Sequence, residues 1–512
     1  MTMKNTENIK SNHPLLILIF GASGDLTKRK LMPALYNIHR EGRLKGEYRI
    51  MGVSRTSYSD ESFREYMRDN LLHFVKDEEL DDKVLDDFLS NLYYESMEMG
   101  DGATTEYEKL RARLQELAGE GVELDNLLFY LSTPPSLYNQ IPVNLKKVKL
   151  NTPNSRLIVE KPFGYSLATA QKLNKVINTV FKENQIYRID HFLGKETAQN
   201  MLAMRFANGI FEPLWNRNYI NYVEVSCMED MGIEGRGGFY DNTGALRDML
   251  QNHLIQLVAL TAMEPPAVFN AENFRNEVSK VYNSLIPLTQ EDLEEHVVRG
   301  QYIENGDKKG YREEKGVAPD SRAETYVAMK IGIANWRWAG VPFYLRTGKQ
   351  MPTKVTEVVI HFKPTPHQMF QGNGNVCPSP NKLILRISPN EGTVLKFGMK
   401  VPGPGFNIKP VEMDFTYDSL GGLPTSDAYS RLIEDCINGD QTLFTRIDAV
   451  EASWRFFDPV LEYWEKNVDV PLYGYPAGSW GPKESEEMMR EHNAEWSRPS
   501  KNLVNSDQYC EL

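Results

Sequence analysis

Six apolar residues in a row, Leu15-Leu16-Ile17-Leu18-Ile19-Phe20, run straight into Gly21-Ala22-Ser23-Gly24-Asp25-Leu26. An uninterrupted apolar run of this length is the pattern of a strand buried on both faces of a parallel sheet. A glycine turn that follows such a strand and opens a helix is where a βα unit holds a pyrophosphate on helix N-terminal amides. The turn departs from a regular G-x-G-x-x-G, because Ser23 and Leu26 stand at the second and third glycine positions. A tight structural turn therefore remains an alternative at this point. The following helix runs through about His39, and Pro33 either kinks it or starts its regular part. Residues 48–53, 127–131 and 156–159 repeat the buried-strand pattern, and the charged stretch 60–117 is predicted mostly helical. Strands alternating with helices predict a doubly wound α/β domain, a Rossmann-like dinucleotide-binding unit over 14–190, after a polar flexible arm over 1–13.

The pattern changes beyond residue 190. Residues 222–228 alternate as a strand with one exposed face. A loop with Gly232, Gly235, Gly237 and Gly238 follows, then one long helix over about 241–263, stopped by Pro265-Pro266. Strand-like segments recur at 324–333, 341–345, 355–362, 383–387 and 393–399, with Pro389-Asn390-Glu391-Gly392 as a hairpin turn. Residues 191–512 are thus predicted to form an α+β domain with a large, mainly antiparallel sheet. The one composition-biased loop is 368–380.

Composition narrows the partners. The net charge of −12 disfavours nucleic acid and anionic membrane, which both need a basic surface. A small anionic substrate stays open, since a pocket can be locally basic. Cys227, Cys377, Cys436 and Cys510 show no C-x-x-C spacing and read as free thiols of a reducing cytosol. The first twelve residues lack a signal-peptide core, and the 15–20 run is too short to span a bilayer. A soluble, cytoplasmic protein is expected.

Four places carry chemistry. The second strand ends Gly52-Val53-Ser54-Arg55-Thr56, where an NAD-binding unit usually has an acid for the ribose 2′-hydroxyl. Ser54, Arg55 and Thr56 are donors suited to a 2′-phosphate, so NADP is favoured over NAD, with an exposed loop arginine as the alternative. Glu160-Lys161-Pro162-Phe163-Gly164 puts a lysine at the carboxyl end of a parallel strand, the usual ligand crevice; a surface lysine in a turn is the alternative. Arg188-Ile189-Asp190-His191-Phe192-Leu193-Gly194-Lys195-Glu196 gathers an acid, an imidazole and an ammonium. A helix starting near Gly194 would add its amides to Lys195 and His191 as an anion site. Arg247-Asp248-Met249-Leu250-Gln251-Asn252-His253 places a histidine on the long helix, as a core residue or a general base. Asp248 precedes His253 by five residues, about 140° round an α-helix, so the two need not touch. Lys349 and Lys354, read alone, are solvated cations after a strand.

Together these blocks resemble glucose-6-phosphate dehydrogenase, from about Ile17 to Pro482. Glu234-Gly235-Arg236-Gly237-Gly238, Val341-Pro342-Phe343-Tyr344-Leu345-Arg346-Thr347-Gly348-Lys349 and Asp427-Ala428-Tyr429 with Arg431-Leu432-Ile433 extend the likeness. The resemblance implies NADP-dependent oxidation of D-glucose 6-phosphate to 6-phospho-D-glucono-1,5-lactone, the first step of the oxidative pentose phosphate pathway, by a homodimer or homotetramer. It implies His253 as the base that removes the C1 hydroxyl proton and Asp190 as the carboxylate that orients it. His191 and Lys195 would hold the phosphate, and Lys161, Glu229, Asp248, Lys349 and Lys354 would line the sugar. Gly21, Ala22, Ser23, Gly24, Asp25, Leu26, Arg55, Tyr138 and Lys161 would contact the coenzyme. Three departures stand out: Phe192 for a usual tyrosine, Lys354 for a common arginine, and Val355 and Val359 where some animal members carry basic residues for a second, structural NADP. That second site is not expected here. Two other readings remain: a related sugar or sugar-phosphate dehydrogenase with looser coenzyme choice, and a catalytically dead homologue. The presence of Asp190, His191, Lys195 and His253 counts against the latter.

Overall fold

The computed structural model describes residues 13–367, 369–370, 380–420, 427–490 and 493–499. The expected arm up to Asn12, most of the 368–380 loop, Cys377 and Cys510 lie outside the described residues. The chain divides into two compact units. One holds residues through 194, with 266–276 and 427–451; the other holds 195–265, 277–420 and the described residues from 452 on.

The first unit is built on a six-stranded sheet of β1 (Leu15–Phe20), β2 (Tyr48–Ser54), β3 (Leu92–Ser96), β4 (Leu127–Leu131), β5 (Arg156–Val159) and β6 (Ile186–Arg188). Its order is β3-β2-β1-β4-β5-β6, and every pairing is parallel. This is the doubly wound order, whose switch point lies between β1 and β4. Every residue of β1 is buried, as its apolar run predicts. Pro33 stands in the first turn of the helix Met32–Arg40, after a short π-helical segment at Thr27–Leu31. The expectation that 60–117 is mostly helical needs one correction. The helices Asp60–Phe74, Asp82–Ser90 and Thr104–Ala118 are there, but β3 lies between the second and third. It is a five-residue edge strand with only its first and third residues buried, so its apolar signal is weak. A later segment completes this unit: the helix Ala428–Asn438, capped by Asp427, sets Ser430 against Ala34 of Met32–Arg40.

The second unit is built on a nine-stranded sheet. Its strands are β7 (Ile220–Met228), β8 (Val297–Ile303), β9 (Tyr326–Ile331), β10 (Phe343–Gly348), β11 (Val355–Phe362), β12 (Lys382–Ser388), β13 (Gly392–Lys400), β14 (Ile408–Thr416) and β15 (Tyr473–Pro476). The order is β14-β13-β12-β11-β7-β10-β9-β8-β15, antiparallel except for the β7–β10 and β8–β15 pairs. The sequence patterns miss β8, β14 and β15; β14 contains Pro410, and β15 has only four residues, including Gly474 and Pro476.

The expectation for 222–228 also fails on one point. β7 lies between β10 and β11 and is buried on both faces. Its alternation is real, but the polar face is covered. Glu224 pairs with His361 and accepts from the Ser497 amide at 2.8 Å, and Ser226 accepts from Arg346 Nε at 3.0 Å. The single long helix over 241–263 is three pieces: Gly237–Ala245, a π-helical segment Leu246–Leu254, and Ile255–Ala262. Gly244, at φ +71°, breaks the first from the second. Among the described residues no helix is long and apolar enough to cross a membrane.

Candidate active site

At the carboxyl end of β1 the chain turns at Gly21, with φ +88°. A Cβ on Gly21 would lie 2.0 Å from the Ser132 carbonyl oxygen beyond β4, so only glycine lets the turn pass this close. The Gly21 and Ala22 amides donate to the Val53 carbonyl at 2.7 and 3.2 Å, which ties the turn to the end of β2. Ser23 Oγ lies 2.9 Å from Ser54 Oγ and accepts from Thr56 Oγ1 at 3.0 Å. Arg55 is exposed beside this hydroxyl cluster. Asp25 points outward and pairs with Arg29 at 2.8 Å. The helix that opens at Asp25 carries Leu26 in its first turn.

Lys161 is half-buried at the end of β5, and the Lys161–Pro162 bond is cis. Glu160 beside it is buried and accepts from the Tyr130 hydroxyl at 2.5 Å. Burial pushes the Glu160 carboxyl up to about 7, against the pull of Tyr130 and Lys161. Tyr138 is buried, and burial together with the Glu160 charge raises its hydroxyl pKa.

Asp190 follows β6 and is buried; its Oδ1 accepts from the Phe192 amide at 2.9 Å. The His191 ring lies nearly parallel to that of Tyr429, with centroids 6.3 Å apart. Burial, and then the charges of Glu160, Asp427 and Asp190, raise the Tyr429 hydroxyl pKa. Tyr429 is therefore a neighbour of this acidic cluster that the sequence assigned no role. Only its position in the Asp427-Ala428-Tyr429 block marked it.

The chain passes into the second unit between Gly194 and Lys195. Lys195 is the residue before the helix Glu196–Phe206, as the anion-site reading requires. Its charge acts on Glu391 and on the buried Cys227 thiol, which burial pushes up to about 11. Lys349 is buried, contrary to its reading as a solvated cation. It pairs with Glu229 and lies 5.0 Å from the Tyr240 ring centroid, so two partners replace its lost water. Lys354 is exposed, as read from the sequence. Tyr240, with no role in the sequence reading, is buried and feels the charges of Asp248, Glu324 and Glu229.

His253 is buried, at 1% exposure, and Asp248 is half-buried on the same π-helical segment. That geometry corrects the 140° separation expected of an α-helix. Bonding from residue i to i+5 widens the turn, so residues five apart fall on successive turns of one face. Within the second unit the structure therefore assembles two carboxylates, a buried ammonium and an imidazole in neighbouring segments. Within the first it assembles the glycine turn, the hydroxyl cluster and the Glu160–Asp190–His191 neighbourhood.

Residues 18–200 match the family described as glucose-6-phosphate dehydrogenase, NAD binding domain, and residues 202–497 match glucose-6-phosphate dehydrogenase, C-terminal domain. The chain is similar to the glucose-6-phosphate 1-dehydrogenase of Aggregatibacter actinomycetemcomitans, with 52% identity over 491 residues, 94% of this chain and 97% of that one. It is similar to that of Treponema pallidum (strain Nichols), with 45% identity over 509 residues, 98% of each chain. A solved glucose-6-phosphate dehydrogenase in complex with its substrate glucose-6-phosphate superposes with a TM-score of 0.86 at 36% identity, covering 95% of this chain and 99% of that one. Both halves of the chain match, and the blocks that hold the candidate site lie inside the matched residues: this chain belongs to the glucose-6-phosphate dehydrogenase family.

Proposed function

We propose that the chain oxidises D-glucose 6-phosphate at C1 to 6-phospho-D-glucono-1,5-lactone. The observation that carries this reading is the nearly full-length likeness to a structure solved with glucose 6-phosphate, joined to the presence here of Asp190, His191, Lys195 and His253. The coenzyme, NADP+, supplies the hydride acceptor. The donors at the end of β2 suit it: exposed Arg55 and Thr56 offer a guanidinium and a hydroxyl to a 2′-phosphate, buried Ser54 is held by Tyr94 and Ser23 instead, and none of the three is an acid. The glycine turn at Gly21 leads from β1 into a helix, whose first amides suit a pyrophosphate, and Ala22 to Leu26, Tyr138 and Lys161 belong to the same coenzyme site.

The roles follow from charge. His253 removes the C1 hydroxyl proton as the C1 hydrogen leaves with its electron pair, and Asp190 stabilises the imidazolium. His191 and Lys195 hold the phosphate dianion. Glu229 and Asp248 accept from sugar hydroxyls; Lys161, Lys349 and Lys354 donate to them. The pair of buried Lys349 with half-buried Glu229 holds both groups in place before substrate arrives. Residues 14–190 serve the coenzyme, and 191–512 serve the substrate and the contact between subunits. The protein works in the cytoplasm as a homodimer or homotetramer on small molecules, without nucleic acid or membrane partners.

Reduced-coenzyme absorbance tests the reading directly, with glucose 6-phosphate, glucose and galactose 6-phosphate, each against NADP+ and NAD+. Fast NADP+ reduction by glucose 6-phosphate alone is expected. Faster turnover of another sugar would replace the proposed substrate.

A further inference from the structure

The helix that carries Asp248 and His253 starts without a cap of its own. Gly244 breaks the preceding helix, Gly237–Ala245, one residue before its end, and Ala245 offers no side-chain hydrogen bond to the amides that follow. The first amides of a helix need partners from elsewhere. Glu324, just ahead of β9, supplies them. Its backbone carbonyl accepts from the Ala245 amide at 2.9 Å. Its Oε1 accepts from the Leu246 amide at 3.0 Å. Glu324 is 6% exposed, so these bonds form in a site closed to competing water.

Gly244 makes room for this carboxylate. A Cβ there would lie 2.3 Å from Glu324 Oε1 and 2.7 Å from its Cδ. The positive φ of Gly244 and the approach of Glu324 are two separate reasons for glycine at one position. The next residue holds the sugar-binding segment. The Thr325 carbonyl accepts from the Lys349 amide at 3.0 Å. Thr325 Oγ1 lies 3.0 Å from the Tyr475 hydroxyl, which donates to the Lys349 carbonyl at 2.7 Å. Two consecutive residues thus grip the start of the His253 helix and the backbone of Lys349. The Glu324 charge also acts on Tyr240 alongside those of Asp248 and Glu229, which puts its carboxylate in the same cluster.

We infer that Glu324 is a positioning residue for the oxidation: seated in the space left by Gly244, it fixes where Asp248 and His253 stand relative to Lys349. The inference rests on the reading of His253 as the base. Nothing in the local sequence marks Glu324, an acid at the start of the strand-like segment 324–333.

Four variants test it in the full chain: Glu324→Ala, Glu324→Asp, Glu324→Gln and Gly244→Ala, with His253→Asn beside them. The readouts are kcat, both KM values, melting temperature and the primary deuterium isotope effect with substrate deuterated at C1. Glu324→Ala is expected to lower kcat by about 10- to 100-fold, the scale of a misplaced catalytic group. The isotope effect on kcat should rise and the KM for NADP+ should stay unchanged. Glu324→Gln keeps an oxygen at the same reach and should restore most of the turnover. Glu324→Asp keeps the charge but shortens the reach and should not. Gly244→Ala should behave like Glu324→Ala. Should Glu324→Ala fail to fold, Asp against Gln decides: better turnover in Asp than in Gln overturns the inference, because charge and not geometry would then matter. Parent-like kcat in Glu324→Ala also overturns it. If His253→Asn keeps full turnover, the base assignment falls and takes this inference with it. An inactive His253→Asn beside an unaffected Glu324→Ala removes the positioning role alone.

Discussion

A histidine that is 1% exposed among Leu246, Leu250 and Leu254 has every mark of a core residue except its neighbours in charge. The π-helical turns set Asp248 on the same face, and Glu229 and Lys349 stand in adjoining segments of the same unit. Replacing His253 by Asn should reduce kcat on the order of 10²- to 10⁴-fold, the usual share of a general base, with little change in KM for glucose 6-phosphate. Steady-state kinetics at saturating coenzyme measures this, and near-parent turnover would remove His253 from the mechanism. Arg55 is the opposite kind of residue, exposed and without a burial argument. Its position after β2 is what matters. Arg55→Ala should cost NADP+ about 1.5–3 kcal/mol in kcat/KM, roughly 10- to 150-fold, and leave NAD+ nearly untouched. Equal losses for both coenzymes would place the guanidinium on the shared pyrophosphate instead.

Among elements, the turn from β1 into its helix carries the sharpest constraint. Gly21 combines a positive φ with a carbonyl oxygen 2.0 Å from where a Cβ would stand. Gly21→Ala should therefore destabilise the unit by at least the strain of a non-glycine residue at positive φ, about 1–3 kcal/mol. It should weaken coenzyme binding as well, since the turn must move away from Ser132. Urea denaturation and a coenzyme titration report the two effects; parent-like values in both would show that the turn tolerates a side chain. The π-helical segment makes a different point about elements. Hydrophobic periodicity detected a helix over 241–263 but not the change in its hydrogen bonding, because which carbonyl each amide bonds is a backbone property that side-chain polarity along the chain does not report.

On the scale of the whole molecule, the sheet of the second unit shows an exposed apolar row at its edge among the described residues. Leu395, Phe397 and Met399 of β13 stand opposite Met413, Val411 and Lys409 of β14, and Phe415 continues the row. Met399, Met413 and Phe415 are exposed. An apolar row on an edge strand is a surface for association, and it supports the proposed homo-oligomer. The double variant Met413→Glu with Phe415→Glu should shift the molar mass in light scattering towards the monomer while the melting curve stays cooperative. An unchanged mass would put the subunit contact elsewhere.

Much of this protein was legible in its sequence because the signals were local. The apolar run of β1, the glycine turn and the strand–helix alternation each follow from neighbours in the chain, and they specify a doubly wound unit without reference to anything distant. The motif blocks around Asp190 and His253 were visible for the same reason. What only tertiary structure decided depends on residues far apart in sequence. The polar face of β7 is covered by a segment near residue 497; Lys349 is buried because Glu229 and Tyr240 meet it; Tyr429 joins His191 because a helix more than two hundred residues later packs into the first unit. Glu324 is the extreme case, an acid whose place under the His253 helix depends on a glycine eighty residues earlier. Burial and hydrogen-bond partnership are properties of neighbours in space, and a single sequence reports only neighbours along the chain.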